Sequence, residues 1–73
     1  MSLPDALKRA CRWTEANKRD SVITLREYHV AGACVKAFNW FPSDGVPAWG
    51  EKIVVRVRWE STAREAKVER VRE

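Results

Sequence analysis

Apolar positions along this chain recur at two different periods. From Leu3 to Thr14 they fall at Leu3, Ala6, Leu7, Ala10, Cys11 and Thr14, three and four apart, which is one face of a helix. Ser2 is placed to cap that helix, Pro4 is tolerated in its first turn, and Asp5 complements the positive end of its dipole. Asn17-Lys18-Arg19-Asp20-Ser21 follows as a polar connection. Near the other end the period changes to two. Ile53, Val55, Val57 and Trp59 share one side of a strand, while Lys52, Val54, Arg56, Arg58 and Glu60 share the other.

The middle of the chain supports two readings. Thr24 and Glu27 have the spacing of a reciprocal capping box, and Ile23 and Tyr28 flank it as a hydrophobic staple. A helix opening there aligns Tyr28, Ala31, Val35 and Phe38, with Gly32 as a close-packing site or a helix end. The alternative is a hairpin of Val22 to Val30 with Ala33 to Phe41, turning at Ala31-Gly32 and resting on the content of Val, Ile, Tyr and Phe. The capping signal favours helix over residues 25–31 and leaves 33–41 open. Phe41-Pro42-Ser43-Asp44-Gly45-Val46-Pro47 then breaks any regular element. Thr62-Ala63-Arg64-Glu65 repeats the capping-box spacing and predicts a last helix. Its apolar stripe of Ala63, Val68 and Val71 is thin, so the expectation for 61–73 is a charged helix or a frayed tail.

Seventy-three residues make one domain with a small core. Residues 1–20 form an N-terminal helix and linker, 21–60 the centre, and 61–73 the tail. The formal net charge of +4 suits an anionic partner. Neither a secretory signal nor a membrane-spanning run is visible, so the chain reads as cytoplasmic, with Cys11 and Cys34 as reduced, buried thiols. A disulfide between them is the alternative. Catalysis lacks its parts. His29 is the single imidazole, no serine or cysteine stands beside it in a recognisable motif, and the two cysteines lack the close pairing of a metal site. Gly45 and Gly50 open no phosphate loop. The expectation is a non-enzymatic protein with no cofactor, metal or small-molecule substrate.

Thr24-Leu25-Arg26-Glu27, Gly32, Trp40, Pro47, Arg56-Val57-Arg58 and Glu60-Ser61 come in an order that resembles the excisionase and MerR-type winged-helix proteins. That resemblance implies an α+β fold, a small winged-helix-like domain with two or three helices packed on a short antiparallel hairpin. It implies double-stranded DNA as partner and a role in transcription regulation or excision. Where that family's reading helix carries Ser/Thr and Arg, this chain has Ala33, Lys36, Ala37, Phe38 and Asn39. Asn39 suits adenine in the major groove and Lys36 a phosphate. Arg56 and Arg58 would form the wing, or else guard an exposed sheet edge. Lys8, Arg9, Arg12 and Lys52 complete the expected phosphate contacts.

A second reading is a protein-docking regulator, similar in size and character to small phage proteins that bind a host machine such as RNA polymerase. Trp13 and Trp49 are its candidate anchors. RNA binding on the Arg56/Arg58 side is a third option, without an aromatic pair for base stacking.

Overall fold

The segment that carries the capping signal folds as a strand. In the computed structural model, which describes residues 1–47 and 51–71, one helix precedes four strands. They are α1 (Leu3–Asn17), β1 (Ser21–Val30), β2 (Ala33–Pro42), β3 (Lys52–Glu60) and β4 (Glu65–Arg70). The strands make one antiparallel sheet in the order β2-β1-β3-β4, and α1 packs against all four. The expected winged-helix arrangement of two or three helices on a hairpin is therefore overturned: there is one helix, and most of the chain is sheet.

Long-range pairing decides against the capping box. Val22, Ile23 and Thr24 are β-branched in succession and lose side-chain freedom in a helix. In β1 they pair on both sides, with Phe41, Trp40 and Asn39 of β2 and with Arg56, Val55 and Ile53 of β3. Thr24 and Glu27 then point to opposite faces and cannot cap one another. The last expected helix fails for a similar reason. Polar and apolar residues alternate over 65–69, and Ala66 and Val68 lie opposite Trp59 and Val57 of β3.

Helix α1 forms as its spacing predicts. Ser2 Oγ accepts from the Asp5 amide at 3.3 Å, and proline stands in the first turn. At the other end Lys18 adopts a left-handed conformation (φ 54°) and its N–H donates to Thr14 O at 2.8 Å. Ala6 and Ala10 are fully buried, which lets α1 sit close to Ile23, Val55 and Val57. Polar atoms pin the same contact. Thr14 Oγ1 and Ser21 Oγ lie 2.7 Å apart, and Ser21 Oγ reaches Ala10 O at 3.3 Å. Ser21 therefore donates to the carbonyl and accepts from Thr14.

The tryptophans do not make this interior. Trp40 and Trp59 are half-buried at its margin, and Trp40 lies against Trp13 with ring centroids 6.0 Å apart. Trp49 lies outside the described residues. Both cysteines are free; Cys11 is half-buried, and Cys34 is exposed rather than buried. Burial raises the Cys11 thiol above its ordinary pKa, with Glu15 adding to the effect.

One irregularity redirects a side chain. The register between β1 and β3 shifts between Ile23 and Thr24, so that Val54 is an extra residue on β3. Val54 consequently packs toward the core, and Ile53 turns to the opposite face beside Val22 and Arg56. The expected single row of Ile53, Val55, Val57 and Trp59 is broken at its first member.

Candidate interaction surface

Strand β1 outruns its neighbour. Its pairing with β3 ends at Leu25 opposite Lys52, whereas its pairing with β2 continues to Val30 opposite Ala33. Helix α1 also stops short. Its C-terminal end meets Ser21, and at its N-terminal end Met1 O accepts from the Phe38 amide at 3.2 Å, level with Leu25. Residues 26–37 are thus a two-stranded ribbon beyond the helix. At about 3.3 Å per residue the overhang is about 16 Å, which fits a molecule measuring 47 × 22 × 20 Å.

A two-residue turn closes the ribbon. Ala31 (φ 51°) and Gly32 (φ 81°) both take positive φ, as a type I′ hairpin turn requires, and that turn matches the strands' own twist. Alternation gives the ribbon two unlike sides. Glu27, His29, Cys34 and Lys36 lie on the side that continues the helix-covered face. Tyr28, Val30, Ala33, Val35 and Ala37 lie on the other. Tyr28 is 43% and Val30 54% exposed, so near the turn the apolar side is open among the described residues, while Val35 and Ala37 are half-buried.

Toward the base, this outer side becomes polar. Arg26, Tyr28, Ala37 and Asn39 line a shallow depression. Farther along, Asp20, Val22, Ser43, Ile53, Arg56 and Arg58 line another, with Val22 and Ile53 as its apolar floor. Arg58 donates to Glu69 Oε1 at 2.7 Å, and that hydrogen bond, with the charge of Glu69, raises the guanidinium pKa further. Lys67 Nζ lies 3.9 Å from Glu60. Glu69 of β4 therefore offsets the charge of Arg58 on this face, and Glu60 of β3 lies near Lys67.

The expected site residues fall on different parts of the molecule. Lys8, Arg9 and Arg12 are exposed on α1, on one side of the sheet. Arg56 and Arg58 lie on the sheet's opposite face. Lys36 is exposed on the ribbon with Glu27 as its cross-strand partner, and Asn39 is half-buried. Lys52 opens β3 opposite Leu25. Trp13 is half-buried, with its ring against that of Trp40. The residues that sequence reasoning passed over are Val30 and Val35, with Tyr28 taken for half of a staple. The hairpin alternative spanned them, but its alternation is poor, since Ile23 and Leu25 share a face with Glu27 and His29.

Among the described residues no group of three His, Cys, Asp or Glu could hold a metal ion. No described helix is long and apolar enough to cross a membrane. No family model, curated protein or solved structure matches this chain.

Proposed function

We propose that this protein is a non-enzymatic binding module that docks on another protein through the outer side of the β1–β2 ribbon. The observation that carries the reading is an amphipathic ribbon held clear of the helix, with Tyr28, Val30 and Val35 on its uncovered side. Uncovered apolar residues grouped on a projecting element mark interaction sites, and tyrosine is favoured at binding hot spots. The test is capture from a nuclease-treated lysate of the source cell. A stoichiometric protein should be retained by the wild type and by Arg56→Ala/Arg58→Ala, and lost with Tyr28→Ser/Val30→Ser. Equal retention by both double variants would overturn the reading.

Double-stranded DNA is the second reading. It is supported by Arg26, Arg56, Arg58 and Asn39 on one sheet face, a surface of the kind that lies in a groove. It ranks below protein docking because the cations are divided. One duplex cannot meet Lys8, Arg9 and Arg12 on the helix together with Arg56 and Arg58 behind the sheet. Ala33, Lys36, Ala37, Phe38 and Asn39, which the winged-helix resemblance sets on a reading helix, belong to strand β2. Duplex affinity that falls steeply with salt and is lost on Arg56→Ala would favour DNA over protein.

A further inference from the structure

We propose that the ribbon pairs with the ribbon of a second copy, edge to edge along β1, to give a two-fold symmetric dimer. The Phe38 amide points away from β1, since it donates to Met1 O. In an antiparallel ladder the outward and inward residues alternate, so Cys34, Lys36, Phe38 and Trp40 face out of β2, and their partners face out of β1. Those partners are His29, Glu27, Leu25 and Ile23. Strand β3 meets Ile23 and Leu25. The backbone N–H and C=O of Glu27 and His29 point past the end of β3, and no described residue pairs with them on that edge.

The other two edges are managed. Strand β4 is six residues long and carries charges at Glu65, Lys67, Glu69 and Arg70. On β2, Met1 occupies the Phe38 amide, and Lys36 stands farther out. Past Leu25 the β1 edge has neither a proline nor a covering segment among the described residues. A two-stranded ribbon is also marginal alone and gains from further strands.

The sequence of that edge is complementary to itself. Antiparallel pairing about Tyr28 sets Glu27 opposite His29 of the second copy and His29 opposite its Glu27. Each pair exchanges both backbone hydrogen bonds and places an acid beside an imidazole. Tyr28 meets its own copy in the closer, non-hydrogen-bonded position. Such a contact is isologous and closes at two copies. It joins the two ribbons into four strands and merges their Tyr28, Val30 and Val35 sides into one platform. The inference rests on the same ribbon as the docking proposal, but needs no foreign partner.

Sedimentation equilibrium and cysteine trapping test it together. In a Cys11→Ser/Cys34→Ser background, Tyr28→Cys should form a disulfide-linked dimer under mild oxidation at least tenfold faster than Val68→Cys, an exposed site on β4. Glu27→Lys should weaken the dimer at least tenfold, and adding His29→Glu should restore it. A wild-type chain that stays monomeric to millimolar concentration overturns the pairing, as does trapping at Val68→Cys equal to that at Tyr28→Cys. A monomer whose partner capture is still lost on Tyr28→Ser/Val30→Ser would reject the pairing while sparing the docking proposal.

Discussion

The hydroxyl of Ser21 is held where it can serve two partners at once, between Thr14 Oγ1 and Ala10 O. All three groups belong to the buried contact between α1 and β1, so the bonds cost nothing in lost water contacts only while every member is present. Ser21→Ala strands the Thr14 hydroxyl and should cost about 1–3 kcal/mol by urea denaturation. Adding Thr14→Val should recover part of that loss, because an apolar pair leaves nothing unsatisfied on the side chains. If the double variant loses the full sum of two independent single losses, the hydroxyls are not coupled. Thr24 shows the limit of a local motif. Its spacing to Glu27 satisfies a capping box in sequence, yet its side chain is fully buried in the sheet, and the signal says nothing about the strands that arrive from 39 and 53.

At the scale of elements, the hairpin turn is the piece most open to adjustment. Ala31 holds a positive φ that costs an L-residue about 1 kcal/mol. Ala31→Asn should therefore stabilise the ribbon by several tenths of a kcal/mol to about 1 kcal/mol. Gly32→Ala should destabilise it through the backbone alone, since nothing lies within 4 Å of the added carbon. Thermal melts of the two variants should shift in opposite directions.

Legibility followed the same division between local and distant causes. Helix α1 was readable because its cap, dipole charge and apolar stripe all lie within fifteen consecutive residues. Strand β3 was readable from its alternation, although the extra residue at Val54 was not, because a bulge is defined by its partner. Strand β4 reads as a charged helix or a frayed tail in sequence because Thr62 and Glu65 mimic a cap across the turn between strands, where Arg64 takes positive φ. Its alternating Ala66 and Val68 become informative only beside Trp59 and Val57. The ribbon was legible in outline through Ala31-Gly32, but its exposure was not. That depends on where α1 and β3 end.

The whole molecule is long because a compact half carries an arm. The helix and the paired bases of the strands bury Ala6, Ala10, Ile23, Val55 and Val57, and the arm extends the sheet past them. This arrangement sets cations on both outer surfaces and groups Tyr28, Val30 and Val35 on one side of the ribbon, the grounds on which we place the protein-contact proposal ahead of DNA. The claim beneath all of it is that residues 26–37 are a hairpin in the register Glu27 with Lys36 and His29 with Cys34. Those pairs are non-hydrogen-bonded, so their α-protons face one another at close range. An NMR NOESY spectrum should show strong Hα–Hα cross-peaks between Glu27 and Lys36 and between His29 and Cys34. Strong sequential amide–amide contacts from Leu25 to Val30, with those cross-peaks missing, would contradict the account.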